Sequence, residues 1–205
     1  MINREAAYYI KRAIRTGGVS PKLEELRGHH PPSLVHSFIV SYTTAQIGLI
    51  AGYSPSDIKF AVLCALLHDV GKYRIPEAIL SSPKKLTTKE RYTINHHPRH
   101  GHNILVGFDR DVATVAAAHH EPFIDGYPRK ERRSNQDGLR HTIESVGLVD
   151  VIAALTEPPR IRPYRGIPFT PTETIGLLKE KFTGDPTLID VAERLMAMRK
   201  TRLQL

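Results

Sequence analysis

SPSDIKFAVLCALLHDVGK, residues 54–72, is the stretch whose reading decides the fold. Ser54 stands where a helix N-cap belongs, Pro55 takes the first helical position, and Asp57 puts an acid in the first turn. Phe60 to Leu67 then run unbroken and apolar, which predicts a buried helix ending at a polar pair, His68-Asp69. Similar start signals recur outward from it. Thr87-Thr88-Lys89-Glu90 and Thr170-Pro171-Thr172-Glu173 have capping-box spacing, and Asp185-Pro186 opens a last helix to about Arg199. Leu34 to Ile50, Asp111 to Ala118 and Thr142 to Leu155 read as buried or half-buried helices, and no stretch alternates with the period of a strand. The breaks at Gly28–Pro32, Ser81–Lys85, Pro122–Gly138 and Glu157–Pro168 separate no two self-sufficient cores. The expectation is an all-α, single-domain helical bundle, with residues 1–30 as an N-terminal helical extension and 31–205 as the main domain.

Composition narrows the classes of function. With 40% hydrophobic and 24% charged residues, the 205-residue chain is too apolar to be disordered and has the length of one domain. Its eight-residue apolar run falls far short of the roughly 20 residues that span a bilayer, so no transmembrane helix is expected. The start, MINREAAYYIKRAIR, lacks the apolar core of a secretory signal, which points to the cytoplasm. Cys64 is the only cysteine, which excludes an internal disulfide and a thiolate cluster; any metal must use nitrogen and oxygen ligands. The 29 Lys and Arg against 21 Asp and Glu leave a formal charge of +8, which favours an anionic partner, whether nucleotide, nucleic acid or membrane, without choosing among them. No helix-turn-helix, RNP or zinc-finger signature is present, so nucleic acid is not the expected partner, while a protein partner or homodimer stays open.

Seven histidine and aspartate positions stand out on this helical frame: His36 in the early helix, His68-Asp69 at the end of the apolar helix, His97 before Pro98, His119-His120 at the end of another helix, and Asp150 within a later one. Any one of them alone reads as a hydrogen-bonded core or cap residue. Jointly they ask for a shared partner, since burying polar rings costs free energy unless they are bonded or ligate a cation. Helical bundles can project ligands from several helices into one interior site.

The string His68-Asp69-Val70-Gly71-Lys72 resembles the signature of the HD phosphohydrolase superfamily, and its surroundings resemble the HD-GYP branch. The matching pieces, in order, are His36-Ser37, LLHDVGK at 66–72, IPEAIL at 75–80, KLT at 85–87, HHPRHG at 96–101, HHE at 119–121, DGYP at 125–128, Asp150, and RPYR at 162–165. The chain departs from the branch in a GYP loop one residue shorter, in Ala154 where a second aspartate is usual, and in Ile39 where a basic residue is common. A glutamate that some three-metal members carry four positions before the first histidine is Pro32 here.

The resemblance implies a bundle of the HD-domain type and two divalent metal ions, Fe, Mn, Ni or Zn from the mixed imidazole and carboxylate donors. It implies Asp69 as the bridging carboxylate, with His36, His68 and Asp150 toward one metal and His97, His119 and His120 toward the other. A water bridging the metals would attack the phosphate ester. Lys72 would hold a nonbridging phosphate oxygen, and Arg162, Arg165 and Tyr127 would contact substrate. Without the resemblance, Lys72 is a helix-end cation facing solvent, and Arg129, Lys130, Arg132 and Arg133 are either a solvated run or a contact for substrate or a partner. Glu121 is a candidate acceptor for an imidazole N–H, and His96, His100 and His102 read as surface or supporting residues. The expected function is a phosphodiesterase for a cyclic dinucleotide, cyclic di-GMP foremost. A broader nucleotide or phosphate-ester hydrolase and a weakly catalytic cyclic-dinucleotide receptor are the alternatives.

Overall fold

The computed structural model describes residues 2–127, 138–158 and 167–202. Arg162, Arg165 and the basic run from Arg129 to Arg133 lie outside the described residues. Helices α1 (Ile2–Ile14), α2 (Val19–His29), α3 (Pro31–Ala51) and α4 (Pro55–Leu67) are followed by a 3-10 helix at Val70–Arg74. Then come α5 (Glu77–Leu80), α6 (Thr88–Ile94), α7 (His97–Leu105), α8 (Arg110–Ala118), α9 (Arg140–Thr156), α10 (Pro171–Lys181) and α11 (Thr187–Arg202). Among the described residues the only β contact is one isolated bridge, Phe123 to Phe182. The fold is an all-α domain.

The start signals act as their chemistry requires. Ser54 accepts the Asp57 N–H at 3.2 Å, and Thr87 with Glu90 and Thr170 with Glu173 both close complete capping boxes. Two segments differ from the sequence expectation. The break expected at Gly28–Pro32 shrinks to His30 alone, because Pro31 and Pro32 sit in the first turn of α3, where a missing N–H costs nothing. Helix α7 carries no obvious apolar run, yet Pro98 starts it and Gly101 and Leu105 are buried.

Helix α3 is the hub, packed against α4, α1, α2, α9 and α11. Val40 and Ile47 from α3, Val62, Leu66 and Leu67 from α4, Val115 from α8 and Leu148 and Val149 from α9 are all fully buried in one core. Ala6, Ala13, Val19 and Leu23 of α1 and α2 belong to that same core. Each buried Val or Leu contributes roughly 1.5–3 kcal/mol. Among the described residues α3 is the one helix long and apolar enough to cross a membrane, but 56% of its most apolar window is buried inside the bundle. It therefore packs as a core helix.

Candidate metal centre

Polar residues enter the middle of this core from five helices, several of them at helix ends. His36 comes from the second turn of α3; His68 and Asp69 follow the last turn of α4; His97 begins α7; His119 and His120 follow α8; Asp150 lies mid-way along α9. Two glycines let these elements close up. A Cβ at Gly71 would collide with the His97 carbonyl oxygen and the Gly101 nitrogen, and one at Gly147 with the His119 carbonyl oxygen. The backbone after Asp69 thus lies directly on α7, and α9 lies on the turn that carries His119.

The side chains form two clusters, His36, His68, Asp69 and Asp150 in one and His97, His119 and His120 in the other, each with its ligand atoms within 4.8 Å of one another. Asp69 faces both. Its Oδ2 is 3.3 Å from His68 Nε2 and 3.6 Å from His36 Nε2, while its Oδ1 is 3.2 Å from His97 Nε2. Asp150 Oδ1 is 2.7 Å from His36 Nε2, and its Oδ2 is 3.7 Å from His120 Nδ1. Lys72 is ion-paired with Asp69 and largely buried rather than pointing to solvent.

Backbone carbonyls decide the tautomers. His68, His97 and His119 donate Nδ1–H to the carbonyls of Ala65, Ile94 and Ala116 at 2.7, 2.8 and 2.9 Å, each three residues back. A carbonyl only accepts, so in each neutral ring Nε2 keeps its lone pair for the interior. His36 Nδ1 donates instead to Glu157 Oε1 at 2.6 Å. The Nε2 atoms of His97 and His119 then face each other at 3.4 Å with no proton between them, and buried His68 Nε2 has no hydrogen-bond partner. Opposed lone pairs and an orphaned buried nitrogen are the donor set a cation satisfies. The residues present fit a metal.

The charges agree. Burial would raise the Asp69 carboxyl, but the Lys72 ammonium and the His68 ring outweigh it and hold it well below the usual range. Burial likewise opposes ionisation of Asp150, yet the facing His36 and His68 rings hold its carboxyl well below the usual range. Burial works against a charged His68, and the two carboxylates still pull its pKa up to about 10, so this half of the cage demands positive charge. Burial pushes His119 well down and His120 to about 3, with neighbouring imidazoles adding to the effect.

These shifts set the pH dependence of cation-free protein. Burial also holds His30, at the N-terminus of α3, down at about 4. His30 and His120 stay neutral in the fold, so below their ordinary 6.5 the unfolded chain takes up protons that the folded chain refuses. Stability therefore falls as pH drops from there. The extra stability from charged His68 is complete below 6.5 and lost as pH climbs toward about 10. Melting of chelator-treated protein should peak near that crossover; a midpoint rising steadily from about pH 5 to 9 would contradict these shifts.

A cavity of about 390 Å³ opens onto the cage, bordered by His36, His97, His120, Asp150 and Lys72 on the ligand side and by Tyr127, Asp125, Arg91 and His30 farther out. Tyr127 stacks on His120 with ring centroids 4.5 Å apart. Glu121 is half-buried on the turn after His120, and His96 is held by the Tyr92 carbonyl at 2.8 Å. His96, His100 and His102 are absent from both clusters. Sequence reading missed Glu157, which stands 121 positions from His36 and was assigned to a loop, and it gave no role to His30.

A family model described as HD domain matches residues 21–135. The chain is 34% identical over 132 residues to the cyclic di-GMP phosphodiesterase response regulator RpfG of Xanthomonas campestris, covering 61% of this chain and 31% of that protein. It is 32% identical over 138 residues to the 3'3'-cGAMP-specific phosphodiesterase 3 of Vibrio cholerae, covering 66% and 29%. A cyclic di-GMP phosphodiesterase of Thermotoga maritima is 33% identical over 111 residues, covering 51% and 30%. The match thus spans less than a third of the length of each of these relatives.

Proposed function

Because the chain belongs to the HD domain family, we propose that it is a metal-dependent phosphodiesterase that hydrolyses a cyclic dinucleotide, with cyclic di-GMP the first candidate and linear pGpG or GMP the product. The observation that carries this reading is Asp69, whose two oxygens face separate clusters of inward-pointing imidazoles at the floor of a cavity. The relatives named as phosphodiesterases of cyclic di-GMP and of 3'3'-cGAMP support the substrate class.

His36, His68 and Asp150 would hold one divalent cation and His97, His119 and His120 a second, with Asp69 placed to serve both. When bound, such a pair makes water acidic enough to ionise near neutral pH and neutralises charge on the attacking and leaving oxygens; the donors suit Fe, Mn, Ni or Zn. The carbonyls of Ala65, Ile94 and Ala116 keep three rings in the ligating tautomer, and Glu157 does the same for His36. Lys72, beside Asp69, places its ammonium where a nonbridging phosphate oxygen would lie. Tyr127 covers His120 at the rim and limits water there. Arg162 and Arg165 are assigned to substrate phosphates on their sequence context, since arginine forks bind phosphate bidentately.

The test is an assay of protein loaded with Mn or Fe against cyclic di-GMP, 3'3'-cGAMP and phosphomonoesters. Turnover of a cyclic dinucleotide is expected. The second dinucleotide is included because cGAMP-specific relatives match as well as those for cyclic di-GMP. Cleavage of monoesters with both dinucleotides left intact would replace this reading with a broader phosphohydrolase. Saturable dinucleotide binding without turnover would replace it with a receptor.

A further inference from the structure

His30 sits in the one-residue gap between α2 and α3 and is 5% exposed. Its Nδ1 accepts the backbone N–H of Ser33 at 3.2 Å and lies 2.8 Å from Ser33 Oγ. A backbone N–H can only donate, so Nδ1 is unprotonated and the ring proton resides on Nε2. Neighbouring His29 gives its Nε2 to the Ile75 carbonyl at 2.7 Å. His30 Nε2 has no such partner among the described residues, and the ring lines the cavity together with Lys72 and His36. Its lone pair is taken by Ser33, so the ring offers the cavity a proton and nothing that could ligate a metal.

We propose that His30 is a substrate-binding residue, a neutral imidazole N–H fixed to donate to a nonbridging oxygen of the phosphate group that Lys72 holds. The proposal rests on the reading of this cavity as a phosphate-ester site. The cavity then combines a point charge from Lys72 with an oriented neutral donor, and Arg91 adds a second cation to its lining. A neutral imidazole is well suited to the task, because it adds no further positive charge beside Lys72 and remains a donor throughout the neutral range. Burial first, and the Lys72 charge second, keep it in that form.

The alternative is that His30 only caps α3, and two substitutions separate the roles. Asparagine is among the best N-caps and presents its amide oxygen near the Nδ1 position, so His30→Asn keeps the Ser33 bond and deletes the cavity donor. Glutamine reaches the Nε2 position with an N–H, so His30→Gln keeps the donor and weakens the cap. Full-length, metal-loaded protein is titrated calorimetrically with orthophosphate, assayed on cyclic di-GMP and bis(p-nitrophenyl) phosphate, and melted. His30→Asn should melt like wild type, bind orthophosphate about 10–100-fold more weakly and lose a similar factor in kcat/KM. His30→Gln should regain most of the phosphate affinity while melting lower.

Orthophosphate affinity unchanged in His30→Asn, or wild type that does not bind orthophosphate at all, overturns the assignment. The phosphate titration also keeps the two readings apart. Wild type that binds orthophosphate through His30 but leaves cyclic dinucleotides intact refutes the substrate class and supports the His30 role. Dinucleotide turnover that is the same in wild type and His30→Asn refutes His30 alone.

Discussion

Asp69→Ala should yield a folded protein that holds neither cation and has no measurable turnover. Asp69 is 1% exposed, and its carboxylate lies within 3.6 Å of imidazoles from both clusters. Removing it takes away the shared anion and leaves Lys72 pointing at the space the cations need. Mutation of groups that merely support a ligand costs about 10–100-fold in affinity or activity, so loss of a shared ligand should exceed about 100-fold. Elemental analysis of anaerobically purified protein should find wild type with two equivalents of metal and the variant with neither. Asp69→Asn, which preserves shape, should behave the same way, so a folding defect cannot account for the result. Normal turnover in either variant would end the bridging role of Asp69.

Lys72→Ala should separate metal binding from rate. The Lys72 side chain is 12% exposed and paired with Asp69, yet it borders the cavity and lies outside both ligand clusters. Its loss leaves every ligand in place, so both metals should remain bound. Charge aimed at a phosphate oxygen in a dry site is worth on the order of 100–1,000-fold in rate, and kcat/KM should fall by that much. Elemental analysis and steady-state kinetics on one preparation check both halves. An unchanged rate would make Lys72 a structural counter-ion for Asp69, and loss of metal would make it part of the cage.

Signals that act within one turn of chain could be read without the structure. Ser54, Thr87 and Thr170 cap helices through their own side chains, and the apolar run ending at Leu67 had to be buried wherever it went. The histidine and aspartate positions could be read for a related reason, since a polar pair at the end of a buried helix needs a partner. What stayed hidden depends on chain distant in sequence. Glu157 lies beyond the end of α9, in a polar stretch that resembles any loop, and only folding brings it to His36. His30 looked like part of a Gly/Pro break, because its cap is visible only once Pro31 and Pro32 prove to be helical. Gly147 sits in the interior of α9, where a glycine usually weakens a helix. Its reason for being there is the carbonyl of His119 on another element.

The two glycine contacts also determine which parts of the molecule can change the spacing between the metal clusters. Where Gly71 meets α7 and Gly147 meets the turn at His119, main chain touches main chain with no side chain between. Elsewhere in the bundle helices are held apart by Leu, Ile and Val, so exchanging one for another moves the helices by a fraction of an ångström. At the cage there is no such adjustable spacer. The spacing at these two junctions is therefore a property of the backbone, insulated from the exchanges of side-chain size that the rest of the core tolerates.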